Sequence, residues 1–133
     1  MPGLAGILET SLYFQGGRGE EVGRFYRDVL GLREVGAGER MLVYRLGSQV
    51  VLLFDAELTA RAGGPLPEHG ATGSGHVCFV VAGAEYGDWK RRLAERGVEV
   101  LAEKEWSGEI RSFYFRDPAG NLLEIADGDL WPP

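Results

Sequence analysis

The chain has 133 residues, 44% of them hydrophobic, which is enough for one domain, or two small units sharing a sheet, with a real core. Fourteen basic residues stand against twenty acidic ones, and the net charge of −6 disfavours an electrostatic grip on nucleic acid or on an anionic membrane. The single cysteine, Cys78, excludes an internal disulfide and fits a reducing compartment. No apolar run approaches the roughly 20 residues that span a bilayer, and the N-terminus lacks a signal pattern, so we expect a soluble cytoplasmic protein.

The first half of the chain has the pattern of a strand, a helix and three further strands. Residues 7–15 alternate between two faces, which predicts a strand. Residues 20–31 place large apolar side chains at helical spacing and end at a glycine, which predicts a helix. Three short strands are predicted next, around 33–35, over 41–46 and over 49–55.

The second half has the same order of elements. Residues 75–82 read as a strand and residues 84–97 as a helix. Three more strands are predicted over 98–103, 110–117 and 121–127. The apolar side chains that this second helix is predicted to bury are Tyr86, Trp89 and Leu93.

The two halves also align by count. Glu9 and His76, on the first strands of the two halves, are 67 residues apart, and the helix-ending Gly31 and Gly97 are 66 apart. Such an internal repeat is the strongest organisational signal in the chain. It predicts a module over about 6–55, a linker over 56–74 that is long enough to form a lid, and a second module over about 75–127.

Glu124 raises a chemical question, because it lies in the middle of the last predicted strand. An unpaired carboxylate inside a sheet costs several kcal/mol, so the residue is expected to be paired, protonated, exposed to water or bound to a metal. Glu9 and His76 occupy equivalent positions in the repeat, and both lie on strand faces opposite most of the large hydrophobic side chains. Two carboxylates and an imidazole that converge from three strands would form a site for a divalent ion with open coordination positions.

The segments FYRDVLGL (25–32), GHVCFVV (75–81) and FRDPAGNLLEI (115–125) resemble the vicinal oxygen chelate superfamily over nearly the whole chain. This group contains glyoxalase I, extradiol dioxygenases, fosfomycin-modifying enzymes and bleomycin-sequestering proteins. The resemblance implies one α+β domain over residues 1–133. Its paired βαβββ modules would form a cupped, mostly antiparallel eight-stranded sheet with helices on the outer face.

The resemblance also implies a metal site in the cup, with ligands at Glu9, His76 and Glu124, and a catalytic role for Glu124 or Glu9 in moving a proton. Glyoxalase I carries a further glutamate on the fourth strand, where this chain has Leu52 and Leu53. The dioxygenases and fosfomycin enzymes usually have histidine in place of Glu9. A set of two glutamates and one histidine favours Mn²⁺, Fe²⁺, Ni²⁺ or Mg²⁺, and Zn²⁺ is also compatible.

Several other side chains are candidates for contact with substrate or for simpler roles. We expect Cys78 to be an inert packing residue and His69, in the linker, to be a solvated loop residue or a lid residue that reaches substrate. Tyr44 is a candidate for the cup wall. The predicted substrate-binding residues are Tyr13, Tyr114, Trp106 and Arg111.

The sequence leaves two main functions open, besides a structural or regulatory ligand-binding domain with a vestigial site. The first is a metal-dependent enzyme that binds a small substrate through two neighbouring oxygens, with lyase, isomerase or dioxygenase chemistry. The second is a metal-independent protein that sequesters an antibiotic in an aromatic cleft. The three retained ligand positions favour the enzyme. The resemblance implies a homodimer, which paired modules with exposed sheet edges also favour.

Overall fold

The computed structural model describes residues 1–61 and 63–131 of the chain. These residues form two compact units, Met1–Thr72 and Gly73–Pro133, which we call the first and second unit. Each unit has the predicted order of one strand, a helix and three strands, so the α+β class and the paired βαβββ modules are confirmed. Within the described ranges, no helix is long and apolar enough to cross a membrane.

The first unit contains a four-stranded sheet in the order β1-β4-β3-β2. Strand β1 pairs with β4 in parallel, and the other neighbours are antiparallel. The strands are β1 Glu9–Phe14, β2 Arg33–Ala37, β3 Met41–Leu46 and β4 Gln49–Asp55. Helix α1 covers Gly19–Arg24 and continues into a π-helical turn at Phe25–Val29, where the Leu30 amide donates to the carbonyl of Phe25.

The helix of the first unit packs on one face of this sheet through aromatic and aliphatic side chains. The Tyr26 and Tyr44 rings are stacked with centroids 5.7 Å apart, and the Tyr44 hydroxyl donates to Glu34 Oε1. Val22 and Leu53 are also fully buried in this core. Glu9, Ser11 and Tyr13 of β1 therefore lie on the opposite face, in register with Val50, Leu52 and Phe54 of β4.

The second unit repeats this topology, with the sheet order β5-β8-β7-β6 and a parallel β5–β8 pair. The strands are β5 His76–Val80, β6 Ala102–Glu105, β7 Arg111–Arg116 and β8 Leu122–Ala126. A 3₁₀ turn at Gly83–Glu85 leads into helix α3, Tyr86–Glu95. Tyr86 of α3 packs edge-on against Phe113 of β7 with centroids 5.2 Å apart, so Phe113, Leu123 and Ile125 form the core under the helix.

The structure departs from the predicted elements at four places. The linker contains a short helix, α2, at Ala56–Ala60, which Asp55 caps by accepting from the amides of Glu57 and Leu58. Strand β6 begins four residues and ends two residues later than predicted, because Val98 and Val100 belong to the loop that follows α3. Trp89 is only partly buried. Leu8 precedes β1 and is exposed, although the alternation over residues 7–15 places it on the same face as the core residues Leu12 and Phe14 and so predicts its burial.

Candidate metal centre

A row of polar side chains crosses the second sheet on the face opposite α3. Cys78 of β5 lies directly beside Glu124 of β8, and Glu124 lies directly beside Tyr114 of β7. Residues that pair directly across neighbouring strands point to the same face, so these three side chains adjoin one another. His76 lies two residues before Cys78 on the same face of β5.

His76 and Glu124 are brought together by this register. The Nε2 atom of His76 lies 3.2 Å from Oε1 of Glu124, and Nδ1 lies 2.8 Å from the carbonyl oxygen of Leu122. A carbonyl oxygen only accepts hydrogen bonds, so Nδ1 carries the proton that it donates to Leu122. A backbone carbonyl that holds the far nitrogen of an imidazole in this way is typical of a metal-binding histidine, because it fixes both the tautomer and the ring orientation.

The second oxygen of Glu124 carries the clearest chemical signal of the site. Glu124 is only 4% exposed, and its Oε2 atom is buried with no hydrogen-bond partner among the described residues. A buried carboxylate oxygen without a partner costs about 1–3 kcal/mol or more, so such an atom in a folded protein calls for a missing ion or water. The site therefore has an unsatisfied negative oxygen beside an oriented imidazole.

Asn121 and Asp117 fix the start of strand β5 relative to β8, and the sequence did not single them out. Asn121, 1% exposed, accepts from the Gly75 amide through Oδ1 at 3.0 Å and donates through Nδ2 to Asp117 Oδ2 at 2.9 Å. Asp117 Oδ1 also accepts from the amides of Ala119 and Asn121. Gly75 directly precedes His76, so this network positions the histidine. The sequence signal is an Asp and an Asn four residues apart in the segment DPAGN, on either side of the turn residues Pro118 and Gly120.

The first unit has the same backbone without this network. The amide of Val50 donates to the carbonyl of Leu8 at 3.0 Å, just as the amide of Leu122 donates to that of Gly75 at 2.8 Å. The turn before β4 consists only of Gly47 and Ser48. The position that corresponds to Glu124 is Leu52, since each lies opposite the third residue of its module's first strand. The module thus folds without the Asp–Asn network, which accompanies the His–Glu pair.

Tyr114 and Trp106, two predicted substrate-binding residues, adjoin the His76–Glu124 pair or its neighbours. The Tyr114 ring lies nearly parallel to that of His76 with centroids 6.2 Å apart. Partial burial and the negative charge of Glu124 raise the pKa of the Tyr114 hydroxyl, against a lowering effect of its hydrogen bond with Ser112, so it is a proton donor at neutral pH. Trp106 donates from Nε1 to Ser112 Oγ at 2.9 Å. Ser112 lies on the same sheet face as Tyr114.

Cys78 departs from its predicted role, because it is exposed on the Glu124 face and not packed in the core. Burial of the sulfur against the sheet, together with the adjacent Glu124 carboxylate, raises the pKa of the thiol to about 12. The thiol is therefore protonated at neutral pH. Its predicted inertness agrees with this protonation state, although its predicted packing role is wrong.

Arg111 lies on the other face of the second sheet, and Tyr44 and Tyr13 belong to the first unit. Arg111 donates from Nε to Asp127 at 2.9 Å and its guanidinium lies 4.3 Å from the Tyr86 ring centroid, on the helix-covered face. Tyr44 is fully buried under the helix of the first unit and is not part of an exposed wall. Tyr13 hydrogen-bonds through its hydroxyl to Nδ1 of His69 at 2.7 Å, so His69 contacts the sheet and is not merely a solvated loop residue.

Glu9, the third predicted ligand, belongs to the first unit, where it is exposed at the start of β1. Within residues 1–61 and 63–131, no three His, Cys, Asp or Glu side chains are grouped closely enough to hold a metal ion. The second unit by itself thus supplies a pair of donors, His76 and Glu124. An imidazole nitrogen and a carboxylate fit Mn²⁺, Fe²⁺, Ni²⁺ or Zn²⁺, and the role of Glu9 stays a prediction.

Known proteins are similar to this one over most of the length of the chain. The family model described as "Glyoxalase/Bleomycin resistance protein/Dioxygenase superfamily" matches residues 14–125. The crystal structure of a lactoylglutathione lyase from Agrobacterium tumefaciens is similar, with a TM-score of 0.89, 38% identity, and coverage of 97% of this chain and 98% of that chain.

Two curated relatives are more distant. "Virulence protein STM3117" of Salmonella typhimurium is 31% identical over 109 residues, which span 77% of this chain and 72% of the relative. The metallothiol transferase FosB of Staphylococcus epidermidis is 28% identical over 107 residues, which span 80% of this chain and 73% of the relative. The similar proteins thus include one named a lactoylglutathione lyase and one named a metallothiol transferase.

Proposed function

The chain belongs to the glyoxalase/bleomycin resistance protein/dioxygenase superfamily, and we propose that it is a metal-dependent enzyme with His76 and Glu124 among its metal ligands. The substrate in this proposal is a small molecule with two neighbouring oxygens, and the chemistry is of the lyase, isomerase or dioxygenase type. The similarity to a lactoylglutathione lyase and to a metallothiol transferase supports a reaction of this broad class.

The observation that carries the proposal is the buried, unpartnered Oε2 of Glu124. A protein that only sequesters a ligand in an aromatic cleft has no need for a buried carboxylate beside an oriented imidazole. Such an arrangement costs stability unless a cation or a proton compensates the charge. A divalent ion would satisfy the carboxylate and the lone pair on Nε2 of His76 together.

When bound, the metal would act as a Lewis acid that stabilises negative charge developing on a substrate oxygen. The protein side chains would contribute binding, orientation and proton transfer. His76 is held in one tautomer by the Leu122 carbonyl, and Glu124 is the group that we assign to accepting or returning a substrate proton. Tyr114, protonated and beside Glu124, would donate a hydrogen bond to a substrate oxygen.

Glu9 is our candidate for a further ligand or for a second proton-transfer group, on the basis of its position in the sequence repeat. No carboxylate or basic partner of Glu9 is found among the described residues. Substitution of Glu9 by Gln separates the two roles. Loss of a ligand lowers metal affinity, whereas loss of a proton carrier lowers turnover at unchanged metal content.

The experiment that tests the proposal is metal analysis of untagged protein by inductively coupled plasma mass spectrometry. We expect close to one equivalent of a divalent transition metal in the wild type and at least a tenfold loss in Glu124→Gln. The control is Glu105→Gln, which removes an exposed carboxylate of β6 and is expected to keep the metal. Protein that is metal-free, stays so after incubation with each metal, and binds an aromatic drug tightly would establish the sequestering function.

We also propose that the protein is a homodimer, as is common in this superfamily. Ile7, Leu8 and Val80 are large apolar side chains that are 71%, 66% and 70% exposed, respectively, and their burial against a second copy would be favourable. Light scattering at micromolar concentration is expected to give twice the chain mass of 14.5 kDa. A monomeric mass would exclude the dimer.

A further inference from the structure

A cavity of about 320 Å³ lies within the first unit, between the end of its sheet and the linker. Met41 and Phe54, which are directly paired on β3 and β4, form the apolar floor. Pro65, Leu66 and Pro67 of the linker also line the cavity, as does Arg40. A concave, mostly apolar cavity with a few polar groups at its edge is the usual form of a small-molecule site.

Specific contacts hold the linker against the sheet, so the part of the cavity that the linker lines has a defined structure. Thr59 Oγ1 donates to the carbonyl of Asp55, and the His69 amide donates to the carbonyl of Thr59 at 3.2 Å. The His69 ring stands edge-on to Phe54 with centroids 4.6 Å apart and hydrogen-bonds to Tyr13. A Cβ atom on Gly70 would lie 3.0 Å from the carbonyl oxygen of Ala56, so the chain packs tightly against α2 here.

Arg40 supplies the charge at this cavity. The guanidinium has no ion-pair partner among the described residues, although the protein carries a net charge of −6. Arg18, Arg24 and Arg27, in or next to helix α1 and its π-helical turn, are by contrast each paired with a carboxylate. An arginine without a carboxylate partner beside an apolar cavity is suited to a carboxylate ligand, which it can bind through two parallel hydrogen bonds.

We propose that this cavity binds a small carboxylate with a flat apolar body, such as an arylacetate. The ring of the ligand would lie between Phe54 and the Pro65–Pro67 segment, where edge-to-face contact with aromatic side chains is favourable. Its carboxylate would pair with Arg40. The site lies entirely in the first unit and involves neither His76 nor Glu124.

The test uses the two methionines of the chain, Met1 and Met41. Metal-free protein with ¹³C-labelled methionine methyl groups is titrated with phenylacetate, 2-phenylethanol and 2-phenylethylammonium, which share ring and chain length but differ in charge. We expect phenylacetate to shift the Met41 methyl signal saturably, with tighter binding than the neutral and cationic probes. The methyl signal of Met1, which is fully exposed, is the internal reference and is expected not to move.

Two variants test whether the charge of Arg40 causes the preference for phenylacetate. Arg40→Gln is expected to weaken phenylacetate binding by about tenfold and to abolish its advantage over 2-phenylethanol, because one charge-assisted contact is lost. Arg33→Gln removes an exposed arginine of β2 outside the cavity and is expected to bind like the wild type. An unmoved Met41 signal at millimolar phenylacetate, equal shifts with all three probes, or full binding by Arg40→Gln would overturn the proposal. Because no metal is present, the result is independent of the enzyme proposal.

Discussion

Nε2 of His76 lies 3.2 Å from Oε1 of Glu124, while Nδ1 of the same ring is held by the Leu122 carbonyl at 2.8 Å. Since Nδ1 carries a proton, a neutral ring turns its lone pair at Nε2 towards a carboxylate oxygen. Two electron-rich atoms at this distance need a positive charge between or beside them. A proton shared by the pair or a bound cation supplies it, and a cation would also satisfy Oε2 of Glu124, which has no hydrogen-bond partner among the described residues.

The first prediction concerns the effect of Glu124 on the free energy of unfolding when no metal is bound. Glu124→Leu is expected to raise the free energy of unfolding of metal-free protein by roughly 1–2 kcal/mol, because it removes a buried charge that lacks full compensation. The corresponding position in the first unit is already a leucine, Leu52, in a sheet of the same topology. Urea unfolding in the presence of EDTA measures the difference.

The control for this prediction is Glu103→Leu. Glu103 accepts from Lys90 and from the Tyr86 hydroxyl, which lower its pKa, so its carboxylate is well compensated. This substitution is expected to bring no gain in stability. A clear loss of stability in metal-free Glu124→Leu would show that the carboxylate is satisfied without a metal.

The second prediction is that a divalent ion stabilises the wild type through Glu124. At a free metal concentration of 100 times Kd, binding to the folded state alone adds about 2.7 kcal/mol to the free energy of unfolding. The melting temperature of the wild type is therefore expected to rise with metal concentration, while that of Glu124→Gln stays nearly constant. Equal increases in the two proteins would place the metal elsewhere.

The third prediction concerns Asn121 as a positioning residue for His76. Asn121→Ala leaves the Gly75 amide and the buried carboxylate of Asp117 each without one partner, so we expect a loss of about 1–3 kcal/mol in stability. Because β5 is then less well fixed against β8, we also expect His76 to lose its single tautomer. Nitrogen-15 NMR of the histidine ring in folded, metal-free protein measures this.

A matched control for that variant is Ser48→Ala in the short turn before β4, which is expected to change neither property. A variant of Asn121 that is destabilised but keeps the Nδ1-protonated tautomer of His76 would show that the Asp–Asn network serves folding only.

Much of the fold followed from alternation and periodicity. The strands at Met41–Leu46 and Gln49–Asp55 begin and end as predicted, because glycine-containing turns interrupt a regular pattern on both sides. The β6 strand was misplaced, since Val98 and Val100 alternate like a strand but follow α3 in a loop, where the Val98 amide closes the helix on the carbonyl of Leu93. Strand β6 itself is exposed at every position and carries no hydrophobic signal.

The candidate site was predictable only in part. The repeat singled out His76 together with Glu9, and Glu124 stood out as a carboxylate in the middle of an otherwise apolar strand. The distance between His76 and Glu124 depends on the register between β5 and β8, strands that are more than forty residues apart in the chain. Asn121 was missed because its role depends on a tertiary contact with Gly75, and a local reading of the turn explains only Pro118 and Gly120.

The fourth prediction concerns pH and the Arg111–Asp127 contact. Asp127 accepts from the Arg111 amide at 2.7 Å and from its guanidinium at 2.9 Å, and these bonds lower the pKa of Asp127. A lowered carboxyl pKa adds stability that is complete above the ordinary value of about 4 and is lost as the pH falls through the folded-state pKa. Asp127→Asn is therefore expected to lower the free energy of unfolding only modestly at pH 7, since solvent around the half-exposed Arg111 screens part of the attraction.

The difference in unfolding free energy between wild type and Asp127→Asn is expected to shrink as the pH falls below about 4. The control is Asp88→Asn, which removes an exposed carboxylate of α3 paired with Arg91 and is expected to have little effect at any pH. A difference for Asp127→Asn that is independent of pH would mean that the charge of Asp127 makes no contribution.

The most direct test of the metal centre is an anomalous-difference map from crystals soaked in Mn²⁺. If His76 and Glu124 are metal ligands, a single strong peak is expected within about 2.5 Å of both Nε2 of His76 and an oxygen of Glu124, which is coordination distance for such an ion. A fully soaked crystal with no peak at this pair, or with its strongest peak at other residues, would contradict the assignment of His76 and Glu124 as metal ligands.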